Sequence, residues 1–225
     1  MQPTYLPWIG YFALMDRVDS FVILDSVQFA RRSWQQRNKI NSHCGPKMLT
    51  VPVKSKGMRD QLICNVAIND SGSALQSHIN IIQNEYVTSK YFSDYSSGIF
   101  DIMNRGHDKL VDLNIDLIMF FKNVLNIDTR VFRSCELDSD GSKDELLAGL
   151  CEKLEANTYI SPPGSRVYME ESDAFAKRNI KVEYNEYEHP TYKQVHGKFE
   201  PYMSIIDLLF NVGPQSREVM LLGIK

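Results

Sequence analysis

The stretch Thr129-Arg130-Val131-Phe132-Arg133-Ser134-Cys135, continued by Ser142 to Ala156, Thr158-Tyr159-Ile160-Ser161, Ser172 to Arg178 and Ile180 to Tyr187, decides the fold. Its rhythm is strand, helix, strand, helix, strand, which predicts parallel βαβ units. Ser142 and Glu145 have capping-box spacing, with Leu146, Leu147, Leu150 and Leu154 on one helical face behind them. Asn179 is placed to close the next helix in the left-handed conformation. Working outward, Phe21-Val22-Ile23-Leu24 is a continuous apolar run that ends at Asp25, the pattern of a strand covered on both faces. The predicted fold class is α/β, with a Rossmann-like, mostly parallel sheet flanked by helices in a single domain over residues 1–225.

A helical middle segment over roughly residues 73–127 interrupts the alternation. Leu75, His78, Ile79, Ile82 and Tyr86 recur at helical spacing, and Leu117, Ile118, Phe121, Val124 and Leu125 continue the theme. Met48 to Val53 and Leu62 to Ile68 are rich in strand formers and flank the polar Lys54 to Asp60, as a hairpin or a mobile loop would. Near the end, Ser204 and Asp207 make a second capping box opening Ile205 to Val212, which Gly213-Pro214 stops.

Composition narrows the function. The 25 Lys and Arg against 28 Asp and Glu give a net charge of −3, without the cationic excess of a dedicated nucleic-acid binder. The greasiest run, Leu117 to Phe121, ends at Lys122, far short of the roughly 20 residues a membrane-spanning helix needs, so no membrane insertion is expected. The start at Met1-Gln2-Pro3 has no basic n-region, and the expected location is cytoplasmic. Cys44, Cys64, Cys135 and Cys151 stand far apart without a Cys-x-x-Cys pair, the usage of reduced thiols rather than of disulfides or a metal site.

Polar side chains gather in four places. Gln28 to Lys39 follows the strand ending at Asp25 and brings Arg31, Arg32, Arg37 and Lys39 together around Trp34. Open parallel sheets bind ligands beyond strand carboxyl ends, and arginine offers phosphate a planar two-pronged donor. Gln2 to Tyr11 packs two prolines, a glycine and three aromatics into a rigid loop feeding a helix over Tyr11 to Arg17, whose first N–H groups could receive an anion. Glu186 to Gln194 carries His189, whose neighbour Glu188 could raise its basicity for general-base work. Ser161-Pro162-Pro163-Gly164-Ser165-Arg166 is a strand-end loop with hydroxyls and one arginine, suited to a phosphate or sugar and equally to a structural turn. His78 sits on an apolar helical face and reads as a hydrogen-bonded core residue.

Several of these motifs together identify a family. Gln2-Pro3-x-Tyr5-Leu6-Pro7-Trp8-x-Gly10-Tyr11-Phe12, Phe21-Val22-x-Leu24-Asp25-x-Val27-Gln28-Phe29 and Arg32-Ser33-Trp34-Gln35-x-Arg37-Asn38-Lys39-Ile40 resemble the signature of WbqC-like proteins. The match continues through Leu49 to Val53, His78, Tyr159-Ile160-Ser161, His189-Pro190-x-Tyr192-x-Gln194 and Ser204 to Asn211. Two departures stand out: Gln36 replaces the usual Asn, and the sequence begins at the Gln-Pro pair that a short strand generally precedes, so either that strand is missing or the start codon is misassigned. More distantly, the opening resembles pantothenate synthetases and nucleotidylyltransferases, but Trp8 and Tyr11 replace the two histidines of their ATP-binding loop.

The resemblance implies work on bacterial O-antigen and related surface polysaccharides: attachment of an acyl or aminoacyl group, as an amide, to the amino group of a nucleotide-linked deoxyamino sugar. The expected catalytic base is His189. Asp25 is the alternative, a strand-end carboxylate that burial could raise toward neutrality. The expected substrate-binding set is Gln2, Tyr5, Trp8, Gln28, Arg31, Ser33, Arg37, Asn38, Lys39, Tyr192 and Gln194. Arg37 and Lys39, with Arg31, would hold the diphosphate, and Gln28, Asn38 and Tyr5 would orient the sugar. No cofactor is assigned, and the partners are the nucleotide sugar and an acyl carrier protein or other thioester donor. Two rivals remain: an ATP-dependent nucleotidyltransferase or ligase, and a non-catalytic sugar-nucleotide-binding partner.

Overall fold

In the computed structural model, which describes residues 1–70, 72–139, 141, 143–162, 164 and 173–225, two parallel pairings form, and the one within the strand-helix-strand stretch is a parallel pairing of the kind its rhythm predicts. Strand β1 (Ser20–Ile23) runs parallel to β4 (Arg130–Arg133), with Phe21 against Val131 and Ile23 against Arg133. β5 (Thr158–Ser161) runs parallel to β6 (Lys181–Tyr184). The third ladder is an antiparallel hairpin of β2 (Arg37–Ile40) and β3 (Lys47–Thr50). Among the described residues the strands therefore form three two-stranded sheets, and a cleft rather than a ladder separates β1 from β5. The architecture is mixed α/β.

Helices fill the remaining space. α1 (Ile9–Asp16) is buried from Ile9 through Met15, because all of its faces meet the core. The middle segment is three helices, α2 (Ser73–Tyr86), α3 (Phe92–Met103) and α4 (Leu110–Val124). Asp70 accepts from the N–H groups of Ala74 and Leu75 and satisfies the start of α2. α5 (Lys143–Lys153) precedes β5, while α6 (Ile205–Val212) and α7 (Ser216–Leu221) close the chain. Most apolar side chains join one core built on Tyr11, Phe12, Tyr86, Phe121 and Phe210, with Phe12 and Phe121 meeting edge-on at 5.9 Å. A smaller core of Ala148, Ala174, Phe175 and Ile180 lies by itself beneath β5 and β6.

Three local expectations change. Met48 and Leu49 pair with Asn38 and Lys39 rather than with Leu62 to Ile68, which instead holds a 3₁₀ turn at Ile63–Asn65 and single bridges to Gln28 and Val53. Ser204 caps α6 by accepting from the Ile206 N–H, but Asp207 does not reach back: the Ser204 N–H donates to Lys39, and the Asp207 carboxylate is held by three other donors. The helix expected to end at Arg178 is a 3₁₀ turn over Ala176–Arg178, closed by Asn179 at φ 54° and ψ 34°. Ser142, Ser172, Pro163, Ser165 and Arg166, on which one capping box, a helix start and a phosphate loop were read, lie outside the described residues.

Candidate functional site

The carboxyl ends of β1 and β4 meet at Asp25, whose carboxylate is fully buried. Arg133 donates to its Oδ2 from Nε at 2.9 Å, with Nη2 at 2.8 Å from the same oxygen. Ser134 Oγ and the Cys135 N–H donate to Oδ1 at 3.1 and 2.9 Å, and the Cys135 thiol lies 3.1 Å from Oδ2. Burial alone would raise this carboxyl, but those bonds and the guanidinium charge outweigh it and hold the group below the usual aspartate range. The expectation that burial raises Asp25 toward neutrality is thus overturned. Asp25 in turn keeps the Cys135 thiol protonated, with burial pushing it up to about 11. Ser134 Oγ completes the knot by accepting from the Asp25 and Ser26 N–H groups and from the Ser26 hydroxyl.

The basic cluster divides between strand and loop. Arg37 and Lys39 alternate with buried Asn38 and Ile40 on β2, so both cations leave the same face of the strand. Arg37 Nε is buried without a hydrogen-bond partner. Asn38 is turned inward, donating to the Leu6 carbonyl at 2.7 Å and accepting from the Lys39 N–H. Arg31 is exposed, and Ser33 donates to the Ala30 carbonyl. Gln28 donates to the Arg59 carbonyl, and Gln2 accepts from Gln35 at 2.8 Å. Tyr5 is fully buried with its hydroxyl 2.9 Å from His78 Nδ1, and desolvation lowers the His78 pKa to about 4.

The third cluster forms an aromatic nest. His189 stacks between Trp8 and Tyr192, with ring centroids at 6.4 and 6.2 Å, and Phe199 and Tyr202 lie against it at 5.7 and 5.2 Å. Its Nδ1 lies 2.9 Å from the Pro190 carbonyl, an acceptor only, so Nδ1 carries the proton. Nε2 is buried without a partner. Desolvation lowers the pKa of the ring. Glu188, expected to raise it, is instead held by Lys225 at 2.6 Å. Tyr202 adopts φ 61°, a conformation an aromatic residue rarely takes, and remains 58% exposed over the nest. The first turn of α1, read as an anion receptor, is buried.

Beside the nest, Tyr86, Tyr192 and Gln194 all donate to the buried Asp207 carboxylate, at 2.7, 2.8 and 2.8 Å. Desolvation nonetheless raises its pKa. Next to them Glu85, 6% exposed, accepts from the His43 N–H and lies within 3.2 Å of both His43 Nδ1 and His196 Nε2. Neither acid was read as a site residue, Asp207 being placed in a capping box instead, since their partners come from segments far along the chain. The loop bearing Phe199 and Tyr202 was missed too, although Phe199-Glu200-Pro201-Tyr202 repeats the aromatic and proline pairing of the opening segment.

Hydrogen bonds link these regions. Ser204 donates to the Lys39 carbonyl and bridges to Trp8, which brings β2 near the nest. A cleft of about 970 Å³ runs along β1 and β5, however, and is lined by neither Arg37 nor His189. No helix among the described residues is long and apolar enough to cross a membrane.

Two parallel ladders, a buried ion pair at the carboxyl ends of β1 and β4 and a histidine-centred aromatic nest define a mixed α/β protein. The chain belongs to the WbqC-like protein family, which it matches over residues 2–219. It is 35% identical over 222 residues to the uncharacterized protein Rv1507c of Mycobacterium tuberculosis, an alignment covering 98% of this chain and 95% of that one. No solved structure matches it.

Proposed function

We propose that the protein is an N-acyltransferase that forms an amide on the amino group of a nucleotide-linked deoxyamino sugar, with His189 as general base. The observation that carries this reading is the His189 imidazole, neutral, fixed through Nδ1–H to Pro190, and presenting an unpartnered Nε2 among aromatic faces. A base with a lowered pKa is deprotonated at neutral pH and ready to accept a proton. Trp8 and Tyr202 offer flat apolar faces of the kind that pack against a sugar ring. Nε2 takes a proton from the sugar ammonium, the free amine attacks the thioester carbonyl, collapse of the tetrahedral oxyanion breaks the carbon–sulfur bond as the extra proton on the amine nitrogen passes to the departing thiolate, and the His189 imidazolium returns its proton to solvent. Arg37 and Lys39, side by side on β2, supply the charge that holds the diphosphate. The two parallel ladders support the finer reading of a Rossmann-like sheet.

The test is product detection by mass spectrometry with nucleotide-linked amino sugars and acyl thioesters. Turnover that falls on the order of 10²–10⁴-fold in His189→Ala supports the assignment. Full turnover in that variant removes His189 from the mechanism, and unchanged sugar-nucleotide affinity of Arg37→Ala by calorimetry removes the phosphate grip. Binding without product for every donor favours the non-catalytic reading.

A further inference from the structure

Charge in this chain is unevenly placed. From Ser26 to Ile68 stand eight Lys and Arg and one acid, Asp60, which leaves 17 Lys and Arg against 27 Asp and Glu in the rest of the chain. A sequence of net charge −3 therefore holds a strongly basic segment within an acidic remainder. Six of the eight cations are exposed. Among the described residues none of the eight forms an ion pair, although cations elsewhere do: Arg105 with Asp116, Arg178 with Glu145 and Lys225 with Glu188. Uncompensated like charges repel one another, and an anionic partner relieves that repulsion.

The fold gathers the segment into one surface. In the β2–β3 hairpin Lys39 stands opposite Met48, and Arg37 opposite Thr50. Opposite residues share a face, so these four lie on one side, while Asn38, Ile40 and Leu49 are buried on the other. Two loops extend from the Arg37–Thr50 end of the hairpin and are tied together: Gln28 donates to the Arg59 carbonyl, Leu62 bridges to Gln28, and Gln61 donates to the Lys54 carbonyl. One loop exposes Arg32 and Trp34, the other Lys56, Met58 and Arg59. Of the seven large apolar side chains left exposed among the described residues, four belong here: Trp34, Met48, Met58 and Leu62. Protein interfaces are enriched in Arg, Trp and Met, and methionine adapts to the apolar shape it meets. The surface borders the nest, since the Lys39 carbonyl accepts from the Ser204 N–H and Ser204 bridges to Trp8.

We propose that this basic, methionine-bearing face docks an acidic protein that carries the acyl group as a thioester, and so delivers the donor to the His189 nest. The proposal rests on the thioester reading of that site. The partner it fits presents Asp and Glu flanking a few apolar side chains: the carboxylates meet the unpaired cations, and the apolar groups meet Met48, Met58 and Trp34. A nucleic acid or an anionic membrane, each far larger than the face, would also confront the acidic remainder of the chain, which repels it. A small acidic protein need touch the basic face alone.

The probe is an acyl carrier protein with an acidic helix beside its phosphopantetheine arm, charged with an acetyl thioester, and acetyl-coenzyme A is the small donor compared with it. The triple variant Lys54→Glu, Lys56→Glu, Arg59→Glu reverses charge on an exposed loop and leaves Arg37 and Lys39 in place. By calorimetry the parent binds the carrier, less tightly as salt is raised, and the variant binds it on the order of tenfold more weakly at unchanged Tm. The corresponding glutamine variant falls between the two. In kcat/KM the variant loses the same factor with the carrier-borne donor and nothing with acetyl-coenzyme A. Equal carrier affinity in parent and variant overturns the proposal, as does a parent protein that binds phosphatidylglycerol vesicles or single-stranded RNA as tightly as it binds the carrier. Charge-dependent carrier binding without product from either donor overturns the acyltransferase reading and leaves the docking face standing. Product from acetyl-coenzyme A with no carrier binding does the reverse.

Discussion

Replacing Arg133 by alanine removes the charge that faces the buried Asp25 carboxylate. Oδ2 then loses Nε at 2.9 Å and Nη2 at 2.8 Å and keeps the Cys135 thiol alone, while Oδ1 retains Ser134 and the Cys135 N–H. Stripping one partner from a buried ion pair costs about 3–5 kcal/mol, and with Arg133 itself 28% exposed the lower end applies, about 3 kcal/mol. For a chain of this length that lowers Tm by about 6–12 °C. Asp25 has a depressed folded pKa, so its contribution is complete above the ordinary aspartate value of about 4 and is lost as pH falls through the lower folded value. In Arg133→Ala the unpaired acid takes up a proton more readily, so the gap between the two proteins narrows from pH 7.5 to pH 4.5. Thermal unfolding followed by circular dichroism at both pH values reads this directly, and Asp25→Asn added to Arg133→Ala recovers part of the loss. A variant that unfolds within 1–2 °C of the parent at pH 7.5 would refute the idea that the pair holds β1 to β4.

Asp207 behaves oppositely. Burial raises its folded pKa, so its contribution is complete below about pH 4 and falls as pH climbs through the raised value. Denaturant titrations across pH should therefore show a flatter profile for Asp207→Asn, and an identical slope would contradict the assignment. Tyr86→Phe removes one of three donors to that carboxylate and the acceptor of the Asn41 N–H, and should cost about 1–3 kcal/mol by urea unfolding. A Cβ at Gly10 meets the Trp8 indole, so Gly10→Ala should displace that ring and alter tryptophan fluorescence, with Trp34→Phe used to isolate the Trp8 signal. Ser204→Ala removes the α6 cap and should lower stability by about 1 kcal/mol.

The strands were legible because apolar runs such as Phe21 to Leu24 are short and bounded, whereas the pairing of β1 with β4 across the helical middle segment left no local sign. Thr158–Ser161 and Ile205–Val212 fall where the pattern puts them. Hairpin β2–β3 was not legible, since Arg37-Asn38-Lys39-Ile40 alternates polar residues whose inward member, Asn38, is satisfied only by the distant Leu6 carbonyl. α3 was missed as a separate helix because its buried Phe92, Ile99, Ile102 and Met103 are spread thinly among polar positions. At the site, local sequence pointed to His189 but assigned its tuning to Glu188, when aromatic neighbours from three separate segments bury it. Arg133 was read as strand and Asp25 as an alternative base raised by burial, because a contact over 108 residues leaves no local trace.

The most direct test of the histidine-centred site is nitrogen-15 imidazole NMR of His189 at pH 7, recorded before and after addition of a nucleotide-linked amino sugar. Expected is a neutral ring with the proton on Nδ1, and an Nε2 resonance that shifts when the sugar nucleotide is added. A ring already protonated at pH 7, or an Nε2 resonance indifferent to every nucleotide sugar offered, would contradict the site.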